Sequence, residues 1–335
     1  MIAARLSAQG LTAPTARHPE EVVRRVLAVQ AQDLRGARLA IRSRSTDLSA
    51  RDVDLALTER RSLIVTWLGR GTLHLVLAED YHWLQALTTP QLATGNARRL
   101  RQEGVGETQA ARGIQVTLDA VRTDGPQTRD QLRERLDAEG IPTARQALIH
   151  ILLAASIAGH IIRGPVVGHE QAFVDVHEWL GPLPEVDREA ALKRLGERYL
   201  VGHAPASPPD LAKWAGITLT SARRAIDPNQ PLQSTPRQMP RPRLLGAFDP
   251  ILHGWASREL LVGDHHGVVT SNGVFRPTAL IDGHIVATWG LAGGVITLRP
   301  LEMISAADME ALRDEAADVL RFLGLAQHPM VTADV

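Results

Sequence analysis

Apolar positions near the start of the chain recur at three- and four-residue spacing. Val22, Val23, Val26, Leu27 and then Gln30 fall on one face, the period of a helix with a buried stripe. Pro19, with Glu20 and Glu21 behind it, marks the start, because proline has no N–H to lose and acids favour the positive helix end. The pattern predicts a helix that ends between Gln30 and Asp33, with Gln30 still on the core-facing stripe. Gln32 leaves that face: two residues on a helix is a rotation of about 200°, so the two amides diverge unless the helix breaks or distorts between them. Asp33 can cap a helix over 34–43, and Ser49 with Asp52 makes a capping-box-like start for 50–58. The period then changes. Residues 63–68 and 72–76 are β-rich runs separated by Gly69-Arg70-Gly71, a hairpin signal. Three helices followed by a hairpin is the order of a winged helix.

That order recurs. Helical patterns over 78–87 and 91–101 lead to a second set at 115–121, 128–138 and 145–158, where Thr128 and Gln131 form a capping box. Strands are expected at 161–163 and 172–174, with 164–170 as the wing between them. A third set begins near Asp187, where Leu192, Leu195, Tyr199 and Leu200 stripe one helix. Short helices follow at 205–216 and 219–226, joined through Ala215-Gly216 as in a helix-turn-helix. Residues 227–243 are rich in Pro, Gln and Arg and read as a linker or exposed excursion. Beyond it, apolar runs at 244–246, 259–262, 268–269, 274–281, 284–289 and 294–298 predict an antiparallel β-region, with Asn272-Gly273 and Asp282-Gly283 as hairpin pairs and a last helix over 306–323. The fold class expected is α+β: tandem winged-helix modules at 1–105, 106–184 and 185–230, then a β-rich domain at 231–335.

Composition narrows the chemistry. At 335 residues the chain suits several packed modules, and 44% hydrophobic with 22% charged residues is ordinary globular composition. The absence of cysteine removes disulfides, thiolate nucleophiles and Cys-based metal sites. The opening residues lack the apolar core of a signal peptide and no run is long enough to span a membrane, so a cytoplasmic protein is expected. Net charge is zero, yet Lys193 and Lys213 are the only lysines among 37 basic residues. GC-rich coding accounts for most of that bias, although arginine also suits phosphate forks. Arg35, Arg38, Arg42 and Arg44 cluster after the glutamines, with further basic points at Arg98, Arg99 and Arg101 and at Arg237, Arg241 and Arg243. Each cluster, taken alone, reads first as a solvated face.

No phosphate-binding glycine loop, zinc helix motif or Ser-His-Asp set is found. His265-His266 has no third ligand at a suitable spacing, Asp249 reads as a turn residue, His74 as a half-buried strand histidine and Arg70 as a solvated hairpin tip. On spacing alone, Gln30 and Gln32 would be incidental. Four segments change that reading: 27–33 around the glutamines, 67–76, Asp210-Leu211-Ala212-Lys213-Trp214-Ala215-Gly216, and 272–277 with Asp282-Gly283 and Thr288-Trp289. They lie in order along nearly the whole chain, and together they resemble the bacterial winged-helix DNA glycosylases of the AlkZ type. The resemblance implies a monofunctional glycosylase that removes N7-alkylated or bulky purine adducts, including interstrand crosslinks, in DNA repair or self-resistance. It puts the catalytic Gln-x-Gln motif on Gln30 and Gln32, where the sister YcaQ branch has Gln-x-Asp. The implied partner is double-stranded DNA carrying alkylated bases, bound by a monomer without metal or cofactor. Arg35, Arg70, His74, Arg237, Arg241 and Arg243 are the candidate DNA contacts, with Arg70 or His74 expected near the glutamines. A non-catalytic winged-helix regulator is the alternative.

Overall fold

The computed structural model describes residues 1–168, 170–226 and 239–333. In chain order the elements are α1 (Ile2–Ala8), α2 (Pro19–Val26), β1 (Val29–Gln30), α3 (Leu34–Arg42), α4 (Ala50–Thr58), β2 (Leu63–Leu68), β3 (Thr72–Leu77), α5 (Tyr81–Thr88), α6 (Leu92–Gln102), α7 (Glu107–Thr123), α8 (Arg129–Ala138) and α9 (Ala147–Ile157). They continue with β4 (Ile161–Val167), β5 (Glu170–Asp175), α10 (Val176–Leu180), α11 (Arg188–His203), α12 (Pro208–Ala215), α13 (Leu219–Ala225), β6 (Arg243–Leu245), α14 (Glu259–Val262), β7 (Thr278–Ile281), β8 (His284–Ala292), β9 (Val295–Pro300), α15 (Ala306–Leu323) and β10 (Val331–Thr332). This is an α+β fold with largely antiparallel sheets. The chain divides into two compact units, one of Met1–Val53 with Lys193–Val335, the other of Asp54–Leu192.

Capping chemistry sets many of the helix starts. Thr128 and Gln131 exchange bonds at the head of α8, and both the N–H and hydroxyl of Ser207 donate to Asp210 at the head of α12. Gly216 in the left-handed conformation ends α12, as expected where a helix-turn-helix needs a sharp joint.

The Asp54–Leu192 unit holds two hairpins. β2 pairs with β3 in register from Leu63↔Leu77 to Leu68↔Thr72, and β4 pairs with β5. Both belong to one sheet, because β2 also pairs with β4 at Val65↔Arg163. Strand alternation aims Thr66 at α9, where its hydroxyl lies 3.2 Å from that of Ser156, and puts Val65, Trp67, Arg163 and Phe173 on the other face. The expected wing at 164–170 is mostly strand: β4 runs on to Val167 and β5 begins at Glu170. Pro165 cannot donate to a ladder, and the register slips where it sits, between Arg163 and Val166.

In the other unit β6 to β10 form a five-stranded sheet in chain order, with β10 parallel to β9. Asp282 (φ 47°) and Gly283 (φ 82°) make the tight turn from β7 to β8, the conformation that an Asp-Gly pair favours. Leu6, Leu11, Leu245, Ile251, Trp255 and Leu280 are among the side chains of its core. Two strands expected here are absent. Residues 259–262 form α14, because so short a run, Glu259 and three apolar residues, carries no period that separates strand from helix. Val268 ends a 3₁₀ turn, and Asn272-Gly273 closes only the isolated bridge Val269↔Phe275.

Candidate active site

The glutamine pair does not close a helix. α2 stops at Val26, and Leu27 takes φ 67°, ψ −45° while the Ala28 N–H donates to the Val26 carbonyl at 2.8 Å. This is a γ-turn of the rare, strained kind, centred on a fully buried leucine. The chain leaves it extended as β1, so Gln30 sits on a strand, and its place on a helical stripe is corrected. The change of period matters for chemistry. Side chains two apart diverge on a helix, whereas here the chain leaves β1 into a bend at Gln32 and the Gln30 Nε2 donates to the Gln32 Oε1. Gln30 is buried at 7% exposure, while Gln32 is exposed. Among the described residues no hydrogen bond is donated to the Gln30 side-chain Oε1, which leaves it free to accept.

α3 holds this loop in place. Asp33 caps it through the Arg35 N–H at 2.9 Å. A glycine in a helix costs about 1 kcal/mol relative to alanine, and Gly36 has its reason: a Cβ there would lie 2.3 Å from the Ala247 carbonyl oxygen. At the far end of α3 the basic cluster expected as a solvated face is largely interior. Arg44 makes a two-pronged bond to Asp249, at 2.9 and 2.7 Å, with both side chains fully buried. Asp249 also caps the turn that follows it, through the Ile251 N–H. Arg42 binds Glu315, Asp318 and the Leu244 carbonyl. Burial opposes the charge of Glu315, yet Arg42 and Arg243 beside it hold its carboxyl below the usual range.

Of the candidate DNA contacts in this unit, Arg35 and Arg241 are exposed. Arg243 is engaged inside the fold, donating to Glu315 at 2.7 Å. Arg237 lies outside the described residues. In the other unit Arg70 is exposed at the β2–β3 turn between Gly69 and Gly71, both at positive φ. His74 bonds the Thr72 carbonyl through Nδ1 at 2.9 Å, and burial, with a contribution from Arg70, pushes its pKa down to about 4. Its imidazole is therefore neutral at physiological pH. Among the described residues no cluster of three or more ligating side chains could hold a metal ion, and no helix is long and apolar enough to cross a membrane.

Comparison with known proteins gives the family. A family model described as "DNA glycosylase AlkZ-like" matches residues 23–322, and the chain belongs to that family of DNA glycosylases. An interstrand DNA cross-link repair glycosylase of Streptomyces sahachiroi is 27% identical, the match covering 97% of this chain and 96% of the relative. The solved structure of Streptomyces sahachiroi DNA glycosylase AlkZ superposes with a TM-score of 0.77 at 22% identity, over 99% of this chain and 98% of that one.

The sequence reading missed three parts of the site: the Leu27 turn, the Arg44–Asp249 pair and the Gly36 contact. Only the last has a sequence signal, a glycine in the first turn of an otherwise good helix.

Proposed function

We propose that this glycosylase excises N7-alkylguanine and bulky purine adducts, interstrand crosslinks among them, by hydrolysis at a site built on Gln30 and Gln32. The observation that carries the reading is the bonded amide pair on a strained loop, with the Gln30 Oε1 left as an acceptor. Alkylation at N7 already places positive charge on the purine, so the leaving group needs no general acid. As the C1′–N9 bond breaks, its electron pair neutralises the purine and positive charge develops on the deoxyribose. A preorganised carbonyl dipole stabilises that charge and orients the attacking water, the logic of an oxyanion hole with the sign reversed. The water oxygen bonds to C1′ and its proton passes to solvent. No strong base takes part, and Asp33 is occupied as a helix cap. The relative from Streptomyces sahachiroi is named for crosslink repair, which supports bulky substrates here.

Arg35, Arg70 and Arg241 are assigned to phosphate contacts and His74 to a neutral polar contact with DNA, while Arg243, matched by Glu315, braces the fold. Three winged-helix modules, 1–105, 106–184 and 185–230, followed by 231–335, are proposed; the order of three helices then a hairpin in α2–α4 with β2–β3 and in α7–α9 with β4–β5 supports the first two. The enzyme is proposed to act as a nucleoid-associated cytoplasmic monomer. Incubating purified protein with duplexes that carry N7-alkylguanine, a bulky N7 adduct or a crosslink tests the reading. Release of the modified base, with undamaged DNA left intact, is expected. Duplex binding with no base released from any of them would instead indicate a non-catalytic DNA-binding protein.

A further inference from the structure

Several arginines in the Asp54–Leu192 unit are matched by carboxylates. Arg122 pairs with Asp175 at 2.9 Å, Arg112 with Glu139 at 2.8 Å and Arg133 with Asp130 at 2.7 Å. Arg163 on β4 is different. Its guanidinium lies over Trp67 of β2 and Phe173 of β5, at 5.0 and 4.8 Å from the ring centroids. Those two rings stack at 6.2 Å and are themselves buried. Cross-strand pairing fixes the set, because Arg163 stands opposite Phe173 and also pairs with Val65, two residues before Trp67. The guanidinium Nε is buried without a hydrogen-bond partner. The residue as a whole is only half-buried, and among the described residues no carboxylate forms an ion pair with it.

A second cation acts on the same place. Arg129, exposed at the first position of α8, lies close enough for its like charge to disfavour protonated Arg163. Together with burial, the larger cause, it brings Arg163 down to about 10, while Glu170 pulls weakly the other way. Arg129 also stands at the positive end of a helix, where anions and not cations are stabilised. Asp130, beside Arg129 in the first turn of α8, is taken up by Arg133, and among the described residues no carboxylate forms an ion pair with Arg129 or Arg163. Stacking on the rings offsets part of that cost, but it does not neutralise the charge.

We infer that Arg163 and Arg129 form an anion site for a backbone phosphodiester of duplex DNA, held ready by the Trp67–Phe173 platform. A guanidinium fixed against two rings has lost its rotamer freedom before binding, and its planar fork suits phosphate oxygens. Such a contact carries no base sequence information and sets register on the duplex. It rests on the reading of this chain as an enzyme acting on DNA, and it adds a second grip carried by the β4–β5 hairpin and α8.

The test is binding of undamaged duplex DNA by the full chain as a function of salt, with base release by the wild type measured in parallel on N7-alkylated duplex. Arg163→Gln and Arg129→Gln are each expected to reduce the slope of log affinity against log salt by about one, the loss of one phosphate contact. Arg129 is exposed, so its variant reports even if Arg163→Gln fails to fold. Wild-type slopes in Arg129→Gln, or in a folded Arg163→Gln, would overturn the site. Reduced slopes alongside an inactive wild type would leave the phosphate site standing and remove the glycosylase reading.

Discussion

Two arginine-bearing regions of this protein treat the same side chain in opposite ways. At the end of α3, Arg42 and Arg44 are taken out of water completely and are met by Glu315, Asp318 and Asp249. On β4, Arg163 is covered by rings, has no carboxylate partner among the described residues and is faced by another cation. A buried guanidinium is tolerable only if its charge is met. In the first region the fold meets it, and the arginines hold α3 and the amide loop it follows. In the second the charge is left for a partner, and a polyanion supplies what is missing. Burial alone therefore does not say whether an arginine serves stability or binding; the local charge balance does.

The largest effect expected is on the matched side. Removing one member of the buried pair, by Arg44→Ala or Asp249→Ala, strands a charge and should cost about 3–5 kcal/mol in chemical denaturation. Replacing both with apolar residues of similar size should recover most of that loss. A single variant as stable as wild type would erase the contrast between the regions.

His203 offers a third way to bury a titratable group, by giving up its charge. Burial, with a contribution from Arg44, lowers its pKa to about 4, against a bond from Nδ1 to the Tyr199 carbonyl that works the other way. Between pH 6.5 and 4 the unfolded chain then binds a proton that the native state refuses. Stability from this group is complete above pH 6.5 and falls as the solution is acidified, by about 3 kcal/mol in all. Unfolding free energies measured across that window should show the decline, and a folded His203→Gln should flatten it. An unchanged decline in that variant would assign it to other groups.

Smaller again is Gly36→Ala. The added methyl must displace the Ala247 carbonyl or α3 itself, an overpacking cost of roughly 1–3 kcal/mol. Because the glutamines lie just before this helix, base release at saturating enzyme should fall more than DNA affinity does. Equal losses in both would mean that the contact serves folding alone. Arg163→Gln should change stability least, because it removes a charge that no carboxylate compensates; its effect belongs to the salt dependence of binding.

Much of this architecture is written locally. Ala50–Thr58 and Ala306–Leu323 are helices over the ranges that capping residues and apolar spacing predict, and the β2–β3 hairpin follows from a change of period around Gly69-Arg70-Gly71. The loop at Gln30 is not legible in that way. Val26, Leu27 and Gln30 keep a helical period because all three are buried, although tertiary packing has turned the backbone at Leu27. The buried arginines escape for a different reason. Arg42 and Arg44 look like surface positions until their partners arrive from more than 200 residues away, at Leu244, Asp249 and Glu315. The phosphate site depends on three strands and a helix start, which no linear spacing connects. Gln30 and Gln32 themselves were found by resemblance, and the two amides meet only because the backbone leaves the helix before them.

Catalysis is assigned to those two amides. Single-turnover base release from a duplex carrying one N7-alkylguanine, with enzyme in excess, should fall by at least about a hundredfold in Gln30→Ala and in Gln32→Ala, the scale of losing one preorganised group at a reacting centre. Thermal stability and affinity for undamaged duplex should stay near wild type. Wild-type rates of base release in the double variant would contradict the account.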